Sequence, residues 1–363
     1  MAMGSSVAGS ASAERRPAMD THPLALDSVG TVLVTGACGF IGSHVCLELV
    51  RRGMRVIGVD VRPMSWGIRP GHVLGLLVRQ PGFEMVCTDL AGAQVTALLG
   101  DVDVVVHLAA ATDVAASWGE GFTEHTASVL AAQRLLMACE DARVRRLVVA
   151  SSAHVYGPVD RANPDAPVGE DAPVEPTSPY GIAKLAAERL ALTYARRSTS
   201  MSTVALRYFP AFGGGVNPRM VVPRWLTASR DGTPVPLFGD GTALHTWTDI
   251  SDLVEATLRA VAVSLEPGRA EVVNAAGHTV ASLRRLAELI EEVTGRPVPL
   301  EVAGDRAGDA AATRADLTRA NALLGFVPRV PLKEGLERLW GRLDTEPVAR
   351  ALPFTSSPVP GSN

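Results

Sequence analysis

A tyrosine and a lysine, Tyr180 and Lys184, are four residues apart near the start of a segment with helical periodicity. Ser178 and Pro179 precede them, and these residue types favour a helix N-cap and a first helical position. The spacing places the phenol and the ammonium on one face of the helix. Because a free phenol has a pKa of about 10, it is a poor base at neutral pH unless a neighbouring cation favours the phenolate. We therefore predict that this pair removes a proton from a substrate.

A serine pair, Ser151 and Ser152, ends a predicted strand about 30 residues before the tyrosine. A hydroxyl at this place would hold a substrate oxygen between the serine and the phenol, so the three groups together predict the oxidation of an alcohol. The alternative is that the tyrosine and the lysine are an ordinary pair on a surface helix.

A glycine run with the spacing G-x-x-G-x-x-G follows the strand predicted at 31–35 and opens a helical segment. The first glycine allows a tight turn, the second lets the backbone approach a pyrophosphate, and the third lets helix and strand pack closely. An ordinary glycine-rich turn is the alternative, and the strand and helix on either side argue against it. The predicted cofactor contacts in this run are Gly36, Gly39, Phe40, Ile41 and Gly42.

An aspartate, Asp60, ends the next predicted strand, 18 residues beyond the last glycine. Its carboxylate suits the ribose hydroxyls of adenosine and would repel a 2′-phosphate, which favours NAD over NADP. Arg62 lies two residues later and could instead meet a 2′-phosphate. Asp89 is placed to contact adenine or to be an ordinary acid at a strand end. The cofactor contacts predicted at the ends of the next two strands are Asp89, Leu90, Leu108, Ala109 and Ala110.

The elements that would position these groups alternate between strand and helix. Strands are predicted at 31–35, 55–60, 84–87, 102–107, 146–151 and 203–208, and helices at about 41–52, 93–99, 122–140 and 180–197. This alternation predicts an α/β fold with a Rossmann-type, doubly wound parallel sheet. The loop-rich texture after Phe209 predicts a smaller mixed α/β C-terminal lobe that shapes a substrate pocket.

The chain divides, by this interpretation, into four parts. We predict a disordered extension at 1–29 and a flexible tail at 344–363. The NAD-binding domain is predicted to comprise 30–208 and about 246–276, and the substrate-binding lobe 209–245 and about 277–343.

Composition excludes several classes of function. Thirty-four basic and 38 acidic side chains give a net charge of −4, so no global cationic field attracts nucleic acid or an anionic membrane. The four cysteines lack C-x-x-C spacing and lie in apolar stretches that indicate the interior. We therefore expect no metal site and no disulfide framework, and a reducing cytoplasm. No apolar stretch is uninterrupted enough to predict a bilayer-spanning helix.

The chain resembles the extended short-chain dehydrogenases/reductases of the NAD-dependent nucleotide-sugar epimerase/dehydratase family over about residues 31–340. The motifs that carry the resemblance are VTGACGFIG at 34–42, HLAA at 107–110, SSAHVYG at 151–157, SPYGIAK at 178–184, ALRYF at 205–209, GDGT at 239–242, RAGD at 306–309 and LLGFVPRVPLKEGL at 323–336.

This resemblance implies a mechanism and an assembly. Tyr180 would take the proton of a sugar hydroxyl, usually at C4, with Ser152 assisting and Lys184 holding the cofactor ribose and lowering the tyrosine pKa. The hydride would pass to NAD and leave a keto sugar. The resemblance further implies a homodimer through the helices at 180–197 and 122–140.

The residues after Ser152 bear on which reaction follows. The 4,6-dehydratases of the family carry Asp and Glu there, whereas this chain has Ala153 and His154. The string SSAHVYG is instead similar to the SSATVYG of UDP-galactose 4-epimerases, so the resemblance implies a UDP-glucose 4-epimerase-like reaction. His154 is a candidate proton carrier, because imidazole titrates near neutral pH, or else a wall residue of the pocket.

Some positions depart from the family's pattern. Pro210 follows RYF where Asn is usual, His245 replaces the diphosphate-binding Arg after GDGT, and Ser128 replaces an Asn near the nicotinamide. A histidine cannot reproduce a bidentate guanidinium. The substrate-binding candidates are therefore His245, Arg219 and Arg306.

Three functions stay open at this point. The first is a redox-neutral NAD-dependent epimerase acting on a nucleotide sugar. The second is a net oxidoreductase, or an atypical dehydratase, acting on a sugar or another secondary alcohol. The third is a non-catalytic NAD-sensing protein, since fold alone does not fix function.

Overall fold

A computed structural model describes residue 26 and residues 29–63, 73–92, 94–157, 166–304 and 314–345. Leu26 and Val29, inside the predicted disordered extension, are buried in the hydrophobic core. Most of that extension and most of the predicted tail lie outside the described residues. No helix within the described ranges is long and apolar enough to cross a membrane.

A seven-stranded sheet with parallel pairing throughout forms the centre of the larger half. Its strands lie in the order β10-β6-β5-β4-β1-β2-β3, so the strand order reverses between β1 and β4. Ligands of doubly wound sheets bind at such a reversal. The strands are β1 (Thr31–Thr35), β2 (Arg55–Asp60), β3 (Phe83–Cys87), β4 (Val104–His107), β5 (Arg146–Ser152), β6 (Ser202–Tyr208) and β10 (Ala270–Ala275).

Helices cover both faces of this sheet. One core packs α1, α2, α7 and α9 against one face, and a second core packs α3, α4 and α5 against the other. The helices are α1 (Phe40–Arg51), α2 (Val73–Leu77), α3 (Gln94–Leu98), α4 (Phe122–Asp141), α5 (Pro179–Arg197), α7 (Ile250–Ala262) and α9 (Thr318–Leu324). The predicted doubly wound Rossmann-type fold is therefore confirmed.

A smaller half with its own core lies beyond β6. It contains a three-stranded sheet in the order β11-β9-β7 and a parallel pair, β12-β8. Its elements are β7 (Ala211–Phe212), α6 (Val221–Asp231), β8 (Val235–Phe238), β9 (Leu244–Asp249), β11 (Thr279–Ser282), α8 (Leu283–Thr294), β12 (Leu300–Ala303) and α10 (Leu332–Thr345). The predicted domain boundaries stay a prediction.

The prediction that all four cysteines lie in the interior is wrong. Cys46 and Cys139 are buried, but Cys38 is only partly buried and Cys87 is exposed. Cys87 ends β3, which is the edge strand of the large sheet, and residues along that strand are in part exposed. An apolar run predicts a strand, but it does not distinguish a central strand from an edge strand.

Candidate active site

The glycine run forms the turn between β1 and α1. Gly36 has a φ of +71°, and a Cβ atom on it would lie 2.9 Å from the amide nitrogen of Ala109. A Cβ atom on Gly42 would overlap the carbonyl oxygen of Gly36, so the third glycine lets α1 pack on the turn. No side chain caps α1 at Gly39, and no acid lies in its first turn. The free N–H groups at this helix start fit the pyrophosphate of a dinucleotide.

The carboxylate of Asp60 lies next to this turn and is only 5% exposed. Its Oδ2 accepts the backbone N–H of Cys38 at 3.0 Å, and its Oδ1 accepts that of Arg62 at 3.0 Å. The Arg62 Nε is also 3.2 Å from Oδ1. Because Arg62 is paired with this carboxylate, a 2′-phosphate would have to compete with Asp60 for it. The geometry thus fits NAD better than NADP.

The residues that follow β3 and those that follow β4 make different contacts. Asp89 is exposed, and its Oδ1 accepts the N–H of Ala91 at 2.9 Å, whereas Leu90 is buried. The adenine contact of Asp89 stays a prediction. At the end of β4, the N–H groups of Leu108 and Ala109 donate to the Thr35 hydroxyl at 3.2 and 3.1 Å. The segment after β4, which is predicted to contact the cofactor, is thus hydrogen-bonded to the end of β1.

The two serines that end β5 have different partners. Ser151 donates its hydroxyl to Oε2 of Glu188 at 2.6 Å inside the protein. The Ser152 oxygen accepts the N–H of His154 at 3.2 Å, and its hydroxyl is hydrogen-bonded to the phenol of Tyr180. Successive residues of a strand point to opposite sides, so only the second serine meets the tyrosine.

Tyr180 lies in the first turn of α5, which the Ser178 side chain caps by accepting the N–H of Gly181 at 3.1 Å. Burial raises the pKa of this tyrosine, and the hydrogen bond from Ser152 lowers it by less. In the protein alone the phenol is therefore protonated at neutral pH.

Lys184 follows one helical turn later, with Nζ 6.0 Å from the centre of the Tyr180 ring. Its ammonium donates to the carbonyl oxygen of Ala150 at 3.3 Å, and burial lowers the lysine pKa to about 8. A lowering of the Tyr180 pKa by Lys184 stays a prediction.

A pocket lies between β4, β5, α4 and α5, beside the tyrosine. Alanine and valine side chains form much of its wall, and its polar members are His107, His125, Ser128, Tyr180 and Lys184. Ser128 accepts the N–H of Ala111 at 3.0 Å and donates to the carbonyl oxygen of Glu124 at 2.9 Å. The Ser128 hydroxyl, which stands where the family usually has an Asn side chain, is thus hydrogen-bonded to the protein's own backbone.

Two imidazole rings meet the Tyr180 ring edge to face. The ring centroids of His154 and His125 are 5.5 and 5.8 Å from that of the tyrosine. Burial lowers the pKa of both imidazoles, so both are neutral at pH 7. The sequence did not point to His125, because it belongs to no motif and its contact with Tyr180 joins two helices that are distant in the chain.

The candidate substrate residues are placed differently. His245, on β9, is half-buried, and its pKa is lowered by burial and then by His154, so the two imidazoles are neighbours. Arg219 is exposed ahead of α6, and no contact found within the described residues joins it to Tyr180 or His154. Arg306 and the RAGD motif lie outside the described residues. The substrate-binding roles stay predictions.

A Rossmann-type sheet with this glycine turn, this aspartate and a Ser–Tyr–Lys constellation defines the class of the extended short-chain dehydrogenases/reductases. The family model of the "NAD dependent epimerase/dehydratase family" matches residues 32–276. The chain therefore belongs to the NAD-dependent epimerase/dehydratase family, as the sequence motifs predicted.

Three similar proteins illustrate the relationship. A Bacillus subtilis protein named "Uncharacterized UDP-glucose epimerase YtcB" is 35% identical, over 84% of this chain and 95% of its own length. The solved structure of MoeE5 with UDP-glucuronic acid and NAD is 38% identical, covers 86% of this chain and 99% of its own, and has a TM-score of 0.77. The structure of a UDP-glucuronic acid 4-epimerase from Bacillus cereus with UDP-glucuronic acid and NAD is 31% identical. It covers 86% of this chain and 98% of its own, and has a TM-score of 0.79.

Proposed function

We propose that this protein is an NAD-dependent nucleotide-sugar 4-epimerase that acts on UDP-sugars. The observation that carries the proposal is the hydrogen bond between Ser152 and Tyr180 beside a pocket that Ala109 and Ala110 also line, with Ala153 and His154 where a dehydratase has two acids. The similar structures hold NAD together with a UDP-sugar, which supports the cofactor and the class of substrate.

The residues that would hold NAD are those of the turn and of the neighbouring strand ends. The first-turn N–H groups of α1 would bind the pyrophosphate, and Asp60 would accept the ribose hydroxyls of adenosine. Lys184, whose ammonium is anchored on β5, would donate to the second ribose. When bound, NAD supplies the acceptor for a hydride that it later gives back.

The proton chemistry belongs to Ser152 and Tyr180. Ser152 orients the 4-hydroxyl of the sugar by a hydrogen bond. The phenolate of Tyr180, which Lys184 and the positive nicotinamide ring of bound NAD would favour, takes the hydroxyl proton as the C4–H bond breaks. The sugar becomes a 4-ketone because its oxygen has lost a proton and its C4 has lost a hydride, and it loses no other atom. After the ketone presents its opposite face, C4 would regain the hydride on that face while Tyr180 returns the proton to the oxygen. The product is the C4 epimer, and no redox equivalents are consumed.

His154 stands beside this reaction as a neutral, half-buried ring. One base that gives back its own proton suffices for epimerisation, so no second proton carrier is required. We therefore propose that His154 and His245 form the wall of the sugar pocket, where His245 takes the place of a diphosphate-binding arginine. Arg219 and Arg306 are the proposed diphosphate contacts.

An anaerobic assay tests the proposal. The protein is loaded with NAD and given UDP-glucose or UDP-glucuronate in large excess, and the products and the NADH absorbance are followed together. Formation of the C4 epimer without net growth of NADH is expected. Stoichiometric growth of NADH indicates a net oxidoreductase, a product that has lost water indicates a dehydratase, and bound NAD without any conversion indicates a sensing protein. Each of these three results contradicts the proposal.

We also propose that the protein forms a homodimer through α4 and α5, which pack on each other. Large apolar side chains are exposed on these helices, at Phe122, Leu130, Met137 and Ile182. Exposed apolar patches of this kind are typical of interfaces. Light scattering at several concentrations tests this: Leu130→Glu combined with Ile182→Glu is expected to yield monomers, whereas an unchanged mass for the double variant contradicts it.

The cytoplasm is the compartment we propose for this activity. All four cysteines are free thiols in the structure, which supports a reducing environment. Fractionation of the native cells is the test, and recovery of the protein outside the cytoplasm would contradict it.

A further inference from the structure

A bidentate ion pair is enclosed in the protein between α5 and β6. The Arg207 guanidinium donates to both carboxylate oxygens of Glu188, from Nε at 3.0 Å and from Nη2 at 2.8 Å. The two side chains are 2% and 0% exposed. Arg207 lies in the ALRYF motif, but the sequence alone assigns no role to it or to Glu188.

The carboxylate of this pair belongs to the helix that carries the reactive groups. Glu188 lies one helical turn beyond Lys184 and two turns beyond Tyr180, on the same face of α5. It also accepts the Ser151 hydroxyl at 2.6 Å. In the sheet register, Ser151 is directly opposite Arg207, and the next residue along β5 is Ser152. One carboxylate therefore fixes the helix of the tyrosine to the strand end of the serine.

The guanidinium extends these contacts towards β10 and the start of α9. It lies 4.7 Å from the centre of the Tyr156 ring, and its Nη1 donates to the carbonyl oxygen of Glu170 at 3.2 Å. The Tyr156 hydroxyl donates to Oδ1 of Asn274 at 2.6 Å, and the Asn274 amide donates to the carbonyl oxygen of Asp316 at 3.1 Å. The ion pair thus lies between the strand end with Ser152 and the segment that enters α9.

Stability alone does not explain such a pair. Removing two charges from water costs free energy that their attraction often fails to recover, and apolar residues of similar volume are frequently as stable. The retention of both charges at this place calls for a role that an apolar pair could not fill. Two directional hydrogen bonds to one carboxylate, with a third from Ser151, fix orientation in a way that apolar packing does not.

We propose that Glu188 and Arg207 are positioning residues for the reaction: they hold α5 in register with the end of β5, so that the Ser152 hydroxyl meets the phenol of Tyr180. This inference rests on the proposed function for its kinetic consequence. Its structural consequence, the state of the Ser152–Tyr180 hydrogen bond, is measurable without turnover.

The decisive variant replaces the ion pair with apolar residues, Glu188→Leu together with Arg207→Met. Its matched control is Glu255→Leu together with Arg259→Met, which removes an ion pair of 2.7 Å on α7, on the other face of the sheet. For both proteins the melting temperature, the Kd of NAD, KM and kcat for the UDP-sugar, and the pH profile of kcat are measured. Misplacement of reacting groups by about 1 Å costs on the order of 100-fold in rate.

We expect the decisive variant to remain as stably folded as the wild type but to react more slowly. The decisive variant keeps its melting temperature, and its Kd and KM stay within about twofold, while kcat falls about 100-fold. The rise of kcat with pH moves to higher pH, because the tyrosine loses the Ser152 hydrogen bond that lowers its pKa. The other titratable groups around the phenol, His125, His154 and Lys184, are unchanged. Equal losses of kcat in both double variants, or an unmoved pH profile, would overturn the proposal.

A spectroscopic readout separates this proposal from the proposed function. The chain has four tyrosines, so the tyrosinate absorbance of Tyr180 is obtained by subtracting the titration of the matched Tyr180→Phe protein. The phenol pKa is expected to rise in the decisive variant and to stay in the control. If the wild-type protein shows no epimerase activity, the proposed function fails and this titration still decides the positioning role.

A milder variant covers the case in which the double variant does not fold. Ser151→Ala leaves the ion pair intact and removes only the bond that joins it to β5. The same increase of the tyrosine pKa and a smaller fall of kcat are expected. A wild-type titration for Ser151→Ala would contradict the proposal.

Discussion

The Thr35 hydroxyl lies 2.8 Å from Nδ1 of His107, across the junction of β1 and β4. The same oxygen accepts the N–H groups of Leu108 and Ala109, so its own proton is donated to the imidazole. His107 is therefore the tautomer protonated at Nε2. Burial, and to a smaller extent Lys184, lowers its pKa to about 3, and the ring stays neutral throughout the physiological range.

Replacing this threonine by valine tests the arrangement. Thr35→Val leaves buried polar groups without a partner, at a cost of about 2 kcal/mol or more in the free energy of unfolding, and loosens the segment that would follow the cofactor. Thr35→Ser retains the hydroxyl and is the matched control, with a change below about 1 kcal/mol. Urea denaturation and NAD titration of both proteins give the measurements. Equal stability of the two variants would show that the hydroxyl contributes nothing.

Loss of the phenolic oxygen should slow catalysis strongly without affecting cofactor binding. Tyr180→Phe keeps the ring contacts with both histidines but removes the base, and we expect the rate to fall by about 10²- to 10⁴-fold. Tyr194→Phe, on the same helix, removes a hydroxyl bonded only to Gln133 among the bonds found for it, and serves as the control. NAD affinity is measured for both by titration. Activity near the wild-type level in Tyr180→Phe would refute the assigned base.

Substitution of His154 distinguishes a pocket wall from a proton carrier. With its pKa lowered by burial, the imidazole is neutral at pH 7, and we expect His154→Ala to reduce kcat by less than about tenfold, with an unaltered pH profile. His278→Ala, an exposed histidine, controls for general effects. A loss of about 100-fold or more, with the disappearance of one limb of the pH profile, would instead identify His154 as a proton carrier.

Burial of Lys184 should make stability depend on pH. The folded lysine releases its proton at about pH 8 and the unfolded lysine at 10.5, so the unfolded state binds more protons between these values. Below pH 8 both states are charged, and the buried charge costs about 3 kcal/mol. That cost diminishes as the pH rises from 8 towards 10.5.

The comparison that measures this cost is Lys184→Met, made without NAD. The variant is expected to be more stable than the wild type at pH 7, with the advantage narrowing as the pH is raised above 8. Lys333→Met, at a half-exposed position on α10, should show no such narrowing. A constant difference between Lys184→Met and the wild type from pH 7 to 10 would contradict the desolvation of this lysine.

The nucleotide-binding half was predictable because its determinants are local. The strand at 31–35, the glycine turn and Asp60 lie within one βαβ unit, and each residue type has a single geometric reason. The structure reproduces the first two strands with the predicted bounds. The exposure of Cys87 was not predictable, because it depends on which strand is outermost in the sheet.

The site was predictable only as a set of residue types. Which of two adjacent serines meets Tyr180 depends on how β5 is oriented relative to α5, and the sequence does not contain that information locally. His125 and the Glu188–Arg207 pair join elements that are distant in the chain, so no spacing reveals them. The proximity of His154 and His245 likewise depends on two elements that are distant in the chain, so no spacing predicts it.

The seventh strand of the large sheet has a consequence for any attempt to divide this protein. β10 pairs with β6 over six residues, although the chain between them has passed through four elements of the smaller half. A fragment ending at Tyr208 would expose β6 as an unpaired edge, which invites aggregation. Exchange of the substrate-binding region between relatives therefore needs a junction after β6 and one on either side of the segment with α7 and β10, and a single crossover would separate the sheet from its last strand.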